Sequence, residues 1–458
     1  MAGKRVRIGR KFQPKKCAKR CKGDNNDRIS ELPDDILVTI LHLLPMKAAA
    51  RTSILSSRWI NLWKNISSLD FDAEIALVKI ADDPKLSNEE SLKYVRWVNC
   101  VLQSHKASPL KEFRVCFDLG RTFKYAITQW LEFAFARNVE RLELDFSPRT
   151  CRVGTVDDTC YVFPNKFLKR PSQSSSVNFR SLKELSLKSV IVTREAVEFF
   201  LHNCPLLEKL VVSYTCQLSN LEVCGSSLAL KHLELKHCYG LKSVKVSAPN
   251  LTSLSIPKVE GLLLENFPSL VKVSVTCIID RYSVKNLLPT LSCCIFQLET
   301  LILTLDDDGE DIFLPTFPQL PKLKKLVIYY WVDGEQSLMG LTSLIRASPN
   351  LQEFVLRLTV WDYLRSDEEV KNSIKFPHEH LKVVMFCGYC GRSSDAELVG
   401  YILDNCVALE KLVIDPRYPF FLRGTPSDTE LVEEQTSRDY AKQQLEAQVP
   451  QHIEFVIH

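Results

Sequence analysis

Two ten-residue stretches, NCPLLEKLVV at 203–212 and NCVALEKLVI at 405–414, share seven of their ten residues although they lie far apart in the chain. Each contains the pattern apolar-x-x-apolar-x-apolar, as in Leu207, Leu210 and Val212. The last two positions of this unit are two residues apart, so in a short strand both side chains point to the same face. A strand repeated in this way predicts a chain of similar units stacked side by side.

The same unit occurs twelve times, at an average spacing of about 27 residues, which lies within the range of leucine-rich repeats. The copies begin at Leu110, Val139, Leu182, Leu207, Leu230, Leu251, Leu270, Leu298, Leu323, Leu351, Leu381 and Leu409. We therefore predict an α/β fold in which an irregular leucine-rich-repeat solenoid carries parallel strands on its concave face. Connecting helices are predicted at 194–204 and 395–406, the second opened by a capping box of Ser394 and Glu397.

The residue between the last two apolar positions of each unit is predicted to point away from the core, because side chains alternate along a strand. In ten copies it is Ser186, Val211, Glu234, Ser255, Ser274, Ile302, Val327, Val355, Met385 or Val413. The aromatic run YYW at 329–331 is predicted to occupy outward or core positions, and it is a candidate contact for a partner.

Upstream of the repeats, residues 27–72 contain three short helical patterns. Pro33 suits a first helical turn, and Asp34 and Asp35 suit the positive end of the helix dipole. Apolar residues follow at helical spacing, at Ile36, Leu37, Ile40, Leu41 and Leu44. So short a segment buries only a small core, so part of its apolar surface is predicted to meet a partner.

This segment resembles an F-box in the form common in plants. The resemblance is carried by LPDDIL at 32–37, LLP at 43–45, and the series A-x-x-x-S-x-L-S-x-R-W-x-x-L-W at 49–63. F-boxes bind a Skp-family adaptor, which links them to a cullin–RING ubiquitin ligase. The resemblance implies adaptor contacts through ten residues: Leu32, Pro33, Ile36, Leu37, Ile40, Leu44, Leu55, Trp59, Leu62 and Trp63. The residues alone leave open a generic three-helix mini-domain whose tryptophans are core.

Residues 376–416 resemble the FBD module found at the C-terminus of plant F-box/leucine-rich-repeat proteins. The matching features are Phe376-Pro377, the HLKVV strand at 380–384 and ALEKLVIDP at 408–416. The implied organisation is a basic tail (1–26), an F-box (27–72), a helical linker (73–109), leucine-rich repeats (110–375), an FBD module that caps the solenoid (376–427) and a C-terminal extension (428–458). Within the linker, Leu92, Val95, Val98 and Leu102 are predicted to share one helix face, and 453–457 is predicted to add a final strand.

Composition is that of a soluble globular protein, with 45% hydrophobic and 25% charged residues among 458. No stretch is apolar enough for a membrane helix, and no apolar segment of a secretory signal follows Met1. The sixteen cysteines are therefore expected to be reduced thiols. Residues 1–23 hold ten Lys or Arg and no acid, while the whole chain carries +4, so the remainder is mildly acidic and predicts no nucleic-acid partner.

The basic tail holds two clusters that resemble a bipartite nuclear import signal. They include Lys4, Arg5, Lys15, Lys16, Lys19 and Arg20. The alternative is a solvated tail without a targeting role, so the predicted compartment is the nucleus, the cytoplasm or both.

The sequence contains neither a glycine-rich phosphate loop nor a nucleophile elbow, so no enzyme activity and no cofactor are predicted. His378, His380, Cys387 and Cys390 have a spacing that suggests zinc, but they fall on a repeat strand and no second ligand group completes a site, so no metal is predicted. The acidic run at 306–311 is interpreted as a solvated turn. The predicted function is substrate recognition in a Skp–cullin–F-box ubiquitin ligase. The alternative is a non-catalytic leucine-rich-repeat scaffold, in the nucleus or elsewhere, whose F-box is degenerate or serves only to fold the N-terminus.

Overall fold

The structure is a computed structural model of the full chain. It describes residues 29, 31–148, 159–168, 179–238, 240–258, 260–276, 290–306, 318–334, 336–361, 376–417 and 428–458. The basic tail at 1–26 and most of the acidic run at 306–311 lie outside these residues. The chain divides into two compact units, Met1–Ile66 and Ser67–His458.

The first unit contains three helices, α1 Asp34–His42, α2 Met46–Arg51 and α3 Trp59–Leu62. Pro33 and Pro45 stand immediately before α1 and α2, where a missing N–H costs nothing because the first helical turn leaves its N–H groups unpaired. The third helix is short, since the chain continues as a 3₁₀ turn at Trp63–Asn65.

The second unit is organised around fourteen parallel strands in one sheet. All twelve predicted repeat strands are present, and the predicted C-terminal strand follows them. In sheet order the strands are β1 Ser68–Asp72, β2 Glu112–Cys116, β3 Arg141–Asp145, β5 Glu184–Lys188, β7 Lys209–Ser213, β9 His232–Lys236, β11 Ser253–Ile256, β13 Lys272–Val275, β14 Thr300–Asp306, β15 Lys325–Asp333, β16 Glu353–Trp361, β17 Val383–Cys387, β18 Lys411–Asp415 and β19 Glu454–Ile457.

The sheet begins earlier than predicted. Strand β1 lies inside the range assigned to the F-box, and it pairs in register with β2. Helices α4 Glu74–Asp82 and α5 Ser87–Ser104 connect these two strands, so the segment predicted as a linker is the first return segment of the solenoid. The repeat pattern was present at Ile66, Leu69 and Phe71, all buried. The compact unit that contains the repeats thus starts at Ser67, while the predicted domain boundaries stay predictions.

The predicted buried face of α5 is correct for Val98 and wrong for Leu92. Leu92 is exposed, whereas Ser91, Tyr94, Val98 and Val101 are buried. Tyr94 determines this orientation, because its buried hydroxyl donates a hydrogen bond to the carbonyl of Phe71 in β1 at 2.5 Å. A buried hydroxyl needs such a partner, and this requirement outweighs the exposure of one leucine.

The other connections are mixed. Short strands β8 Asn220–Cys224, β10 Ser243–Ser247 and β12 Leu262–Leu264 form a second parallel sheet, and β4 Tyr161–Val162 pairs with β6 Val190–Ile191. Further helices in the described part of the chain include α6 Lys124–Ala136, α7 Arg194–Asn203, α8 Thr342–Arg346, α9 Ser393–Asn405 and α10 Asp428–Leu445. Helices α7 and α9 confirm the two predicted from the sequence.

Helix α9 starts with a different cap from the predicted one. Asp395, rather than Ser394 and Glu397, accepts the N–H of Arg392 at 3.2 Å. The same carboxylate receives two bonds from the Arg392 guanidinium, at 3.0 and 2.6 Å, and both side chains are fully buried. The guanidinium also donates to the carbonyl of Gly334 at 2.8 Å, so the pair ties α9 to the end of β15.

Replacing Asp395 by asparagine is expected to destabilise the protein by about 3–5 kcal/mol, because it leaves the Arg392 charge buried without a counter-charge. Glu454→Gln is the matched control. It breaks the Lys411–Glu454 pair at 2.7 Å, whose side chains are 38% and 62% exposed, and is expected to change stability by less than about 1 kcal/mol. Urea unfolding of both variants measures the difference, and equal shifts would contradict the assignment.

Three neighbouring repeats end their strands in the left-handed backbone region at non-glycine residues: Ser189, Tyr214 and His237. Tyr214 and His237 stack with their ring centroids 4.4 Å apart. Burial, reinforced by the charge of Lys236, lowers the pKa of His237 to about 4. The native state therefore favours the neutral imidazole.

A histidine whose folded pKa lies below its unfolded value contributes stability that is present above pH ~6.5 and lost as the pH falls toward 4. Between pH 7 and pH 5 this loss is expected to be about 1–2 kcal/mol. His237→Asn keeps a residue that tolerates the left-handed backbone. The variant is expected to show a smaller drop in unfolding free energy over this range, whatever its absolute stability. An unchanged pH slope would contradict the prediction.

Candidate adaptor-binding and target-binding surfaces

The three short helices of the first unit share a small core. Its buried members are Leu37, Leu41, Ala49, Trp59, Leu62 and Ile66, with Leu32, Val38 and Trp63 packed against it. Arg58 reinforces the start of α1, because its guanidinium donates to the carboxylate of Asp34 at 2.6 Å and to the carbonyl of Leu32 at 2.6 Å. These two bonds connect the loop before α3 to the beginning of α1.

Helix α1 is apolar on two sides. Leu37 and Leu41 face the core, whereas Ile36, Ile40 and Leu44 are 43%, 36% and 40% exposed. Ile36 and Ile40 lie one helical turn apart and form an exposed apolar stripe on α1, and Leu44 follows in the turn after the helix ends at His42. A small folded unit that leaves such a stripe open to solvent presents a surface suited to a protein partner.

The ten residues predicted to contact an adaptor separate into two groups. Leu37, Trp59 and Leu62 are at most 4% exposed and belong to the core of the unit. In the structure these three side chains pack in the core between the helices, and their contact with an adaptor stays a prediction. Pro33, Ile36, Ile40, Leu44 and Leu55 are exposed, and Leu32 and Trp63 are half-buried.

Sequence reasoning missed four exposed apolar side chains of the same unit, namely Ile29, Leu43, Ile54 and Ile60. Leu43 and Ile54 are the most open, at 82% and 87% exposure. The spacing of Leu43 could have revealed its exposure, since it follows Ile36 and Ile40 at helical intervals.

The second candidate surface is the outer face of the large sheet, formed by the strand residues that alternate with the buried core positions. The ten residues predicted to point outward share one register row, which runs from Ser186 to Val413 across neighbouring strands. Several are nevertheless buried, including Val327 and Val413 at 7% and 3% exposure. Strands lie only about 4.8 Å apart, so aligned β-branched side chains cover one another.

Charge dominates the outer face at the N-terminal end of the sheet. Arg114 lies 3.0 Å from carboxylate oxygens of both Asp70 and Asp72, and Lys188 lies within 3.2 Å of Glu143 and Asp145. Burial raises the pKa of Asp70, against the lowering effect of Arg114. Most of the cationic side chains described in this region are therefore already paired with carboxylates of neighbouring strands.

Toward the C-terminal end the same register row becomes apolar, from Ile302 through Val327, Val355, Met385 and Val413. The YYW run divides between the two faces of β15. Tyr330 is core at 1% exposure, whereas Tyr329 and Trp331 are half-buried on the outer face. The outer face thus changes from ion-paired to apolar and aromatic along the sheet.

The histidine and cysteine group near β17 is used structurally. His378 is buried, its Nε2 lies 2.9 Å from the carbonyl of Ser348, and its Nδ1 accepts the N–H of Leu381 at 3.1 Å. Burial lowers the pKa of His378, which keeps the ring neutral. Within the described residues, no group of three or more His, Cys, Asp or Glu is arranged to hold a metal ion.

The repeated cysteines before the strands behave as small apolar residues. Cys204 and Cys406 are 3% and 4% exposed, and burial raises the pKa of each thiol to about 12. A helix long and apolar enough to cross a membrane is not found in the described part of the chain.

These features define an F-box protein with a leucine-rich-repeat body. The F-box domain family matches residues 29–71, and the family described as "At1g61320/AtMIF1, LRR domain" matches residues 101–457. Neither is an enzyme family. As a class, F-box domains bind Skp-family adaptors and leucine-rich-repeat domains bind targets.

The chain belongs to the plant F-box/FBD/LRR-repeat proteins. It is 30% identical over 421 residues to the F-box/FBD/LRR-repeat protein At2g04230 of Arabidopsis thaliana, a match that covers 84% of this chain and 88% of the relative. It is 28% identical to the putative FBD-associated F-box protein At5g56820 of the same plant, over 94% of this chain and 96% of the relative.

Proposed function

We propose that this protein is the substrate-recognition subunit of a Skp–cullin–F-box ubiquitin ligase. The observation that carries the proposal is the exposed apolar stripe of Ile36 and Ile40 on α1, whose other side is packed in the core, with exposed Leu44 just after the helix. Membership of the family supports it. In this role the F-box binds the adaptor. The repeat body, together with the FBD module proposed at 376–427, binds a target protein.

Such a subunit needs no nucleophile of its own. Holding the target near a ubiquitin-loaded enzyme converts an intermolecular reaction into an effectively intramolecular one. The proposed compartment is the nucleus or the cytoplasm, which the basic tail supports through its two Lys/Arg clusters.

The proposed adaptor surface is the exposed group of Pro33, Ile36, Ile40, Leu44 and Leu55. Leu32 and Trp63 line its edge in this proposal. Leu32 also packs against the F-box core, so a change there affects both folding and contact. Exposed positions of α1 therefore give the sharper test.

Ile36→Gln combined with Ile40→Gln is expected to weaken binding of a plant Skp-family adaptor at least tenfold, because apolar anchors at the centre of an interface dominate its affinity. Leu431→Gln with Val432→Gln is the matched control. Both residues are exposed aliphatic side chains, on α10, and adaptor binding is expected to persist. Co-purification of the full chain with the adaptor, followed by titration, makes the measurement.

Leu32→Ala with Pro33→Ala is expected to abolish adaptor binding while leaving the second unit folded. Thermal unfolding of the variant checks the fold. If the unmodified chain fails to bind any adaptor, the protein is a leucine-rich-repeat scaffold with a degenerate F-box.

A further inference from the structure

Strands β15 and β16 contain nine residues each, compared with four or five in most strands of the sheet. Their extra length extends the outer face beyond the rows that other repeats share. In this region Tyr329 of β15 pairs in register with Arg357 of β16, and Arg357 pairs with Cys387 of β17. Thr359 lies two residues beyond Arg357, on the same face.

Arg357 and Thr359 contain buried polar atoms without hydrogen bonds. These are Nε of Arg357 and Oγ1 of Thr359, and Thr359 is only 6% exposed. The guanidinium carbon of Arg357 lies 5.5 Å from the ring centroid of Tyr329, a cation–π contact that uses none of the N–H groups as a hydrogen-bond donor. Buried polar groups are normally satisfied, so two such atoms on one face point to a missing acceptor.

The described carboxylates do not supply this acceptor. Asp415 shares the register row of Arg357 one strand beyond Cys387, but both of its oxygens are bound by Arg417 at 2.8 Å. Burial alone would raise the pKa of Asp415, and the bonds and charge of Arg417 outweigh it and lower the pKa. Asp415 is thus a satisfied anion.

Other cations of the outer face, unlike Arg357, are paired with carboxylates. Lys325, on the strand next to Arg357, donates to Glu353 at 2.7 Å, and Arg141 lies 3.3 Å from Glu112. Arg357 has an aromatic ring and apolar side chains as neighbours instead, because the adjacent row of the face holds Val327, Val355 and Met385.

We propose that Arg357 and Thr359 form a carboxylate-binding subsite on the outer face, which takes the side chain of an Asp or Glu flanked by apolar residues in the target polypeptide. The planar guanidinium binds a carboxylate through two parallel N–H···O bonds. The Thr359 hydroxyl is a third donor, and the apolar row beside it accommodates the flanking side chains. The inference rests on the proposed function, since the occupant is the target.

Selection from a display library of random twelve-residue peptides against the full chain, purified with its adaptor, tests the subsite. Enriched peptides are expected to share an Asp or Glu beside aliphatic or aromatic residues. For one such peptide, Arg357→Gln is expected to weaken binding about 10- to 100-fold, and Arg357→Lys is expected to weaken it less. Replacing the peptide's acidic residue by its amide is expected to cause a similar loss, which does not add to that of Arg357→Gln.

Arg141→Gln is the matched control, since it removes a cation of the same face that is already paired, and binding is expected to stay within about twofold. Thr359→Val supplies a second variant, which keeps the volume and is expected to weaken the same peptide severalfold. Melting temperatures of all variants verify the fold.

Enrichment of basic peptides, absence of any enriched peptide, or acidic peptides whose binding ignores both Arg357→Gln and Thr359→Val would overturn the proposal. Co-purification of the adaptor in the same preparation distinguishes failure of the subsite from failure of the proposed ligase role. If the adaptor binds and no acidic peptide does, only the subsite falls. If the adaptor itself does not bind, the ligase role falls.

Discussion

In-register parallel pairing is the constraint on which the second unit depends. Each strand of the sheet places two apolar residues, such as Leu185 and Leu187, opposite the equivalent pair of its neighbour. A slip of one residue would move both to the outer face and expose them to water. Parallel pairing also forces every strand to begin at the same edge, so each repeat needs a return segment. The return can be a long helix, as in α5, or a short strand of the second sheet, as β10 between β9 and β11. The irregular spacing of the repeats is therefore tolerated, because only the strand register is fixed.

The strands were predictable because their apolar pattern lies within a few consecutive residues. The predictions failed where that pattern overlapped another motif or where the structure depends on residues distant in sequence. Ile66, Leu69 and Phe71 carry the repeat pattern, but they overlap the end of the F-box resemblance, which concealed β1. Leu218, Leu221 and Val223 repeat it on β8, between two strands already assigned, where an extra strand was not expected. The buried side of α5 includes a hydrogen bond from Tyr94 to Phe71. That bond joins residues far apart in sequence, and spacing alone could not reveal it.

The sequence predicted where the candidate surfaces lie in the chain better than it predicted which of their side chains are exposed. Matching residues one by one to the F-box pattern identified Ile36 and Leu37 together, yet a helix turns neighbouring side chains toward different surroundings, and only the packed core shows which is outside. The outer row of the sheet was correctly assigned to one face. Its lateral packing was not predicted, since it depends on which side chains the register places side by side. The role proposed for Arg357 could not be predicted from the sequence, because its neighbours come from three different strands.

The two ends of the outer face are suited to different parts of recognition. At the N-terminal end, Arg114 and Lys188 are held by carboxylates of adjacent strands, so a partner must displace existing ion pairs and gains little net free energy there. Such charges influence approach and orientation more than affinity. At the C-terminal end, half-buried Tyr329 and Met385 offer apolar area next to Arg357, whose Nε has no hydrogen bond to lose. A partner that desolvates this end therefore displaces no existing ion pair of Arg357, and it supplies the acceptor that Nε lacks. We accordingly expect the affinity of target binding to reside on β14–β17, and the paired charges of β1–β5 to discriminate among approaching partners.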